Sequence, residues 1–159
     1  MTSDTPLQWI GLWIEEPHDI RDPQRRLKSY WEKLPPPRYP HPKHLVGAER
    51  NPAHKAALVA YLRSGTIVTH CLGYSYCRFE GGPSDQEMGS GDLSDGVWIW
   101  PEGLWVYVEH YDVRLPDEFE TNVQNMGYRI SVSEHLEDRG TDDSFWTSWS
   151  KRVAPMKWL

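Results

Sequence analysis

The stretch DGVWIWPEGL, residues 95–104, decides how the surrounding chain folds. Its opening Asp-Gly pair is a turn signal, and the apolar residues that follow predict a strand. Trp98 and Trp100 are two positions apart, so a strand places both side chains on one face of its sheet. Pro101 ends the strand and predicts a helix over residues 102–111. We therefore expect a strand–turn–helix corner with both tryptophans buried beneath that helix.

An alternative interpretation makes the same segment a binding surface. In the corner, Glu102 lies in the first turn of the helix, where a carboxylate is favourable against the helix dipole. In the alternative, the tryptophan pair lines a recognition surface, and Glu102 and Arg114 supply its polar contacts. Burial of the two indoles would decide between them.

Residue periodicity predicts further elements on both sides of this corner. We expect strands over 8–14 and 129–132, helices over 23–34, 53–63, 117–126 and 144–153, and a β-hairpin over 66–79 that turns around Gly73. Residues 35–50 are proline-rich and predict an extended connector, whereas the glycine-rich residues 81–96 predict a flexible loop. Together these elements predict a single α+β domain over residues 1–159, with a small, mostly antiparallel sheet packed by about five short helices.

Composition limits the class of function. Charged residues make up 25% and apolar residues 38% of the 159-residue chain, as in globular domains rather than disordered chains. Residues 1–80 contain eleven Lys/Arg and eight Asp/Glu, a net charge of +3. Residues 81–159 contain six and fifteen, a net charge of −9. Phosphate contacts need clustered Lys/Arg, so this acidic half argues against nucleic acid and suits a basic protein partner.

The absence of certain sequence signals bears on the cellular location of the protein and on its need for a cofactor. The first six residues have no basic and apolar segments of a secretory signal, and no apolar run approaches the roughly 20 residues of a membrane span. We therefore expect a cytoplasmic protein without membrane contact, in which Cys71 and Cys77 are reduced and lie on adjacent strands. Two thiols cannot complete a four-ligand zinc site, and phosphate-binding glycine loops and nucleophile motifs are missing. We predict neither metal nor cofactor, which favours a binding protein over an enzyme.

Three strings in the second half of the chain carry a resemblance. SYCR at residues 75–78, DGVWIWPEGL at 95–104 and VRLPDEF at 113–119 together resemble a pattern in small, uncharacterised bacterial proteins. That pattern usually has a second cysteine where this chain has Glu80, so the resemblance implies no CxxC metal or redox site here. It implies no established activity.

Aromatic and acidic residues suggest a protein-binding function. Nine Trp and eight Tyr, against three Phe, suit half-buried positions and interfaces. Acidic residues fall in clusters at 85–95, 112–120 and 134–143, and two clusters that converge would attract a basic partner. We predict a non-enzymatic protein-binding domain, of the kind that neutralises a bacterial toxin as an immunity protein; the alternative is a small hydrolase or transferase using scattered His, Cys and Glu residues. The candidate binding residues are Trp105, Trp146, Asp112, Asp117, Glu118, Glu120, Glu102 and Arg114.

Overall fold

The computed structural model describes residues 5–15, 37–131 and 135–154. Its strands are β1 (Leu7–Trp9), β2 (Thr66–His70), β3 (Gly91–Ser94), β4 (Trp98–Pro101) and β5 (Thr141–Asp142). Its α-helices are α1 (Pro52–Arg63), α2 (Asp85–Met88), α3 (Leu104–Tyr111), α4 (Asp117–Asn125) and α5 (Ser144–Val153), and short 3-10 helices cover Pro42–Leu45 and Leu136–Asp138. The described residues form an α+β fold, as predicted. The helix predicted over residues 23–34 lies outside them.

The strands of the described residues form one mixed sheet in the order β2-β3-β4-β1-β5. β3 pairs antiparallel with β2 and β4, whereas β1 pairs parallel with β4 and β5. The predicted mostly antiparallel pairing therefore describes one half of the sheet only. The N-terminal strand β1 lies between β4 and β5 and runs parallel to both. Parallel strands are not joined by a tight hairpin turn, so the sequence carries no local turn signal for this pairing.

The β-hairpin predicted over residues 66–79 is wrong in its second half. β2 pairs with β3 instead, and residues 71–79 contain no strand. Tertiary hydrogen bonds hold this β-prone segment in an irregular path. The backbone N–H of Arg78 donates to Tyr107 Oη at 3.0 Å, and its side-chain Nε donates to the Ile14 carbonyl at 2.9 Å. Context of this kind readily outweighs intrinsic strand preference.

The flexible loop predicted over residues 81–96 is also corrected. This segment contains α2 and β3, and β3 lies inside the sheet between β2 and β4. The Asp-Gly turn that follows β3 is confirmed, because Asp95 Oδ1 accepts from the backbone N–H groups of Val97 and Trp98 at 2.9 and 2.7 Å. The glycine, aspartate and serine residues of β3 have low intrinsic strand propensity, so the sequence pattern does not predict this strand.

Several predicted boundaries shift. β1 covers three residues rather than 8–14, although Ile10 beyond it remains fully buried. The helix expected from residue 102 begins at Leu104. Residues 129–131 form no strand, and residue 132 lies outside the described part of the chain.

The tryptophan pair is buried, as predicted. Trp98 exposes 6% of its surface and Trp100 none. Trp100 Nε1 donates to the Leu62 carbonyl at 2.9 Å, and the Phe119 ring centroid lies 5.7 Å from both indoles. These contacts come from α1 and α4, and buried residues of the predicted helix over 102–111, Leu104 and Val108 among them, belong to the same core cluster. Burial also removes the alternative in which the pair lines a recognition surface.

The helices cover the sheet and one another. α1 packs against α3 and α4, and α5 packs against β1. Neither Cys71 nor Cys77 forms a disulfide, as predicted, but they do not lie on adjacent strands, since both follow β2 in an irregular segment. Within residues 5–15, 37–131 and 135–154, none of the helices combines the length and apolar character that crossing a bilayer requires.

Candidate functional site

A cleft of about 380 Å³ opens at one edge of the sheet. The parallel strands β1 and β4 both end at this edge, where β2 also ends and β3 begins. Residues that follow the carboxyl ends of parallel strands commonly form binding sites. We call this cavity the Glu102 cleft. The lining residues that carry its chemistry are Trp9, Trp13, Tyr74, Arg78, Asp92 and Glu102.

Glu102 binds the backbone that leads into β3. Its Oε2 accepts from the N–H groups of Ser90 and Gly91 at 3.1 and 3.0 Å. Gly89 has a φ of +78°, and a Cβ at this position would overlap the Glu102 carboxylate. Only glycine suits such a close approach in this conformation. The predicted place of Glu102 in a helical first turn is therefore corrected: the residue precedes α3, and its carboxylate fixes the backbone beside the cleft.

Asp92 is the unusual carboxylate of the cleft. Burial raises the pKa of Asp92 to about 6, and the nearby charge of Glu102 adds to this effect. No donor among the described residues makes a hydrogen bond to its side chain. Ionisation of such a half-buried carboxylate is unfavourable, because few surrounding groups stabilise the negative charge.

Arg78 lies in the cleft but is engaged by the backbone. Its side chain is 6% exposed, and its Nη1 donates to Ser75 Oγ at 3.1 Å and to the Tyr76 carbonyl at 2.8 Å. Its guanidinium also lies 4.0 Å from the centroid of the Tyr76 ring. The Glu15 carboxylate, on a side chain that is 79% exposed, lies 4.0 Å from Arg78 Nη2. Arg78 therefore fixes the path of this segment through hydrogen bonds to Ile14, Ser75 and Tyr76.

An exposed loop, residues 71–75, borders the Glu102 cleft and is called the rim loop below. The N–H groups of residues 71 and 75 donate to the carbonyls of residues 90 and 89 at 2.7 and 2.9 Å. Between these two anchors Leu72 is completely exposed and Tyr74 is 59% exposed. Exposed apolar side chains that lie close together can serve as contacts for a partner protein.

The predicted residues at 112–120 occupy a different surface. Lys55 Nζ lies 2.8 Å from Asp112 Oδ1. Asp117 and Glu118 are exposed in the first turn of α4, as the sequence predicts for acidic residues near a helix N-terminus. Arg114 is exposed.

A second cavity, of about 540 Å³, brings three of those residues together: Arg114, Asp117 and Glu120. Glu120 Oε1 accepts from Arg50 Nε at 2.9 Å and lies 2.9 Å from His54 Nε2. The other ring nitrogen of His54 lies 2.7 Å from Tyr128 Oη. Glu120 is therefore neutralised by an internal network and contributes little free charge to this surface.

Neither predicted tryptophan anchor is free to contact a partner with its full indole ring. Trp146 is completely buried, and its Nε1 donates to the Leu12 carbonyl at 2.8 Å. Its proposed role as an anchor is corrected, because it belongs to the core. Trp105 is half-buried, and the Arg63 guanidinium lies 4.3 Å from its ring centroid.

Several other acidic residues also have internal partners. Asp95 Oδ2 accepts from Tyr61 Oη at 2.6 Å. Asp143 accepts from Arg38 and Tyr39, and these hydrogen bonds lower the pKa of Asp143 to about 2. Asp142 Oδ1 accepts from the backbone N–H of residue 144 at 2.9 Å. Internal donors therefore hold these three carboxylates in place, and Asp143 is also paired with the charge of Arg38.

The rim loop and Asp92 were not among the candidate binding residues. Leu72 and Tyr74 fit an alternating strand pattern, so sequence reasoning assigns them to a hairpin. The sequence signal that could have identified the irregular path of this segment is Arg78 in the SYCR string, which the structure shows to be buried. A charged residue with apolar neighbours on both sides indicates that the segment is fixed by specific hydrogen bonds.

Neither a search for metal sites nor comparison with other proteins adds a residue to the candidate site. In the part of the chain that the structure describes, no group of three or more His, Cys, Asp or Glu side chains has the arrangement of a metal site. Comparison with protein-family models, with curated proteins and with solved structures finds no match.

Proposed function

We propose that this chain is a protein-binding domain that captures a basic partner at the Glu102 cleft and its rim loop. The finer proposal is an immunity role in the bacterial cytoplasm, in which the chain neutralises a toxin by direct binding.

The observation that carries the proposal is the exposure of Leu72 and Tyr74 on the anchored rim loop. Binding energy in protein interfaces concentrates in a few large side chains that become desolvated at the centre of the contact. The loop is fixed at both ends by backbone hydrogen bonds, so presenting these side chains costs little further ordering.

Charge supports a basic partner. The described lining of the cleft includes three carboxylates, those of Glu15, Asp92 and Glu102, against the single positive charge of Arg78. The whole chain carries a net charge of −6. Complementary charge of this kind raises the rate of association and excludes partners of like charge, nucleic acid included.

A hydrolase or transferase is the second candidate, and one observation favours it. Asp92 has a pKa of about 6 in a cleft, within the range of a general acid or base. Cys71 also lines this cleft, but burial raises the pKa of its thiol. A cysteine nucleophile needs the opposite shift, so the binding role has the better support.

The test is calorimetric titration with the purified product of the neighbouring gene, the first partner to try for a toxin–immunity pair. We expect Leu72→Ser and Tyr74→Ser each to weaken binding by about tenfold or more, the effect of removing an interface anchor. Ile67→Ser is the matched control, because Ile67 is 55% exposed but lies on β2 outside the cleft. Unchanged affinity in both rim-loop variants would refute the proposal. Substrate turnover that Asp92→Asn abolishes would establish the enzyme instead.

A further inference from the structure

We propose that the Glu102 cleft binds the guanidinium group of an arginine side chain on the partner protein, with the Asp92 carboxylate as its counter-ion. This inference rests on the proposed function and adds the chemistry by which the partner is recognised. The cleft volume of about 380 Å³ lies at the small end of ligand pockets and suits one inserted side chain.

The charges of the cleft call for a cation. Arg78 is the one basic side chain among its described lining residues, against the three carboxylates of Glu15, Asp92 and Glu102. Its Nε and Nη1 donate to Ile14, Ser75 and Tyr76. The carboxylates consequently outnumber the positive charge available to them. A bound cation would correct this imbalance.

Asp92 is the carboxylate best placed to pair with that cation. Glu102 already accepts two backbone hydrogen bonds, and Glu15 is 79% exposed and therefore hydrated. Asp92 is half-buried and receives no hydrogen bond from the described residues. Its raised pKa has the same origin, since burial penalises the charge and the described residues supply no hydrogen bond that would stabilise it.

The aromatic walls favour arginine over lysine. Trp9, Trp13 and Tyr74 line the same cleft as Asp92. A planar guanidinium stacks on aromatic rings and donates two parallel hydrogen bonds to a carboxylate, whereas an ammonium is compact and strongly hydrated. Arg78, beside the cleft, shows this geometry within the chain, since its guanidinium lies 4.0 Å from the centroid of the Tyr76 ring.

The test uses the full chain, labelled with ¹⁵N, and two small probes at pH 7.5. Nα-acetyl-L-arginine methylamide is the ligand, and the citrulline counterpart is its neutral control of the same shape. We expect saturable shifts at the amides of residues 89–91 and at the Trp9 and Trp13 indoles with arginine only. Asp92→Asn should weaken this binding about tenfold or more, as expected for a partly desolvated ion pair. Asp85→Asn, an exposed acid on α2, is the matched control and should change nothing.

Equal shifts with arginine and citrulline would overturn the inference, as would unchanged arginine binding in Asp92→Asn. Shifts confined to residues 112–120 would also overturn it. These outcomes are distinct from failure of the proposed function. A partner that needs Leu72 but tolerates Asp92→Asn leaves protein binding intact and removes the arginine pocket, whereas arginine-specific shifts without a protein partner do the reverse.

Discussion

Replacing Arg78 by alanine tests whether this side chain builds the candidate site. The guanidinium makes three hydrogen bonds, to Ile14 O, Ser75 Oγ and Tyr76 O, at 2.9, 3.1 and 2.8 Å. A hydrogen bond from a charged donor contributes about 1.5–3 kcal/mol, and its loss leaves a desolvated acceptor behind. The three contributions are not additive, because neighbours relax and water enters. We therefore expect Arg78→Ala to lower the free energy of unfolding by about 3–5 kcal/mol.

Urea unfolding, followed by tryptophan fluorescence and far-UV circular dichroism, measures this loss. Arg78→Lys keeps the charge and one or two donors, so its loss should be about half as large. Arg63→Ala is the matched control: Arg63 also lies against an aromatic ring, that of Trp105, but at the surface. It should cost about 1 kcal/mol or less. A loss for Arg78→Ala no larger than that of Arg63→Ala would refute the reasoning.

Other predictions concern the core, the cleft carboxylate and the thiols. Trp100→Ala should cost about 3–5 kcal/mol in urea unfolding and Trp105→Ala far less, since only Trp100 is fully buried; equal losses would contradict the core packing. The raised pKa of Asp92 means that the folded state binds its proton more tightly than the unfolded state, so ionising Asp92 costs stability as pH rises from about 4 to 6. Asp92→Asn should accordingly raise the unfolding free energy at pH 7.5 by about 1 kcal/mol, with the gain vanishing below about pH 4; a gain equal at both pH values would contradict this origin. Titration with a thiol reagent should label the exposed Cys71 in the native protein and the buried Cys77 only after unfolding; two labelled thiols in the native state would contradict the burial of Cys77.

Elements with strong local signals were predictable from the sequence. Asn51 before Pro52 marks the start of α1, and Asn51 Oδ1 does accept from the Ala53 N–H at 2.8 Å. Trp98 and Trp100 alternate with apolar neighbours, and both are buried. At these positions the intrinsic preference of the residues agrees with their tertiary environment. Sequence patterns predict structure correctly under that condition.

β3 and the rim loop were not predictable, because tertiary contacts decide them. β3 has no strand-forming sequence of its own and exists because β2 and β4 pair with it on both sides. Leu72 and Tyr74 have strand-forming residues around them but are held out of the sheet by backbone hydrogen bonds and by Arg78. Propensity is a weak guide where such non-local contacts compete with it.

The predicted binding residues show the same division. Asp117 and Glu118 lie exposed at a helix start, as their sequence context implies. The burial of Trp146 could have been predicted from the sequence. Trp149 follows three positions later, so the two side chains share one face of a helix, and an apolar helix face usually packs in the core. Glu120 could not be judged from sequence, since its partners Arg50 and His54 lie 66 or more positions away.

Hydrogen–deuterium exchange on the partner complex tests the central claim most directly, because it locates the interface without any substitution. We expect slower exchange at the rim loop and at residues 89–92 when the partner is bound. We expect unchanged exchange at residues 112–120, the surface favoured by the acidic sequence pattern. Protection at residues 112–120, with the rim loop exchanging as in the free protein, would contradict the account.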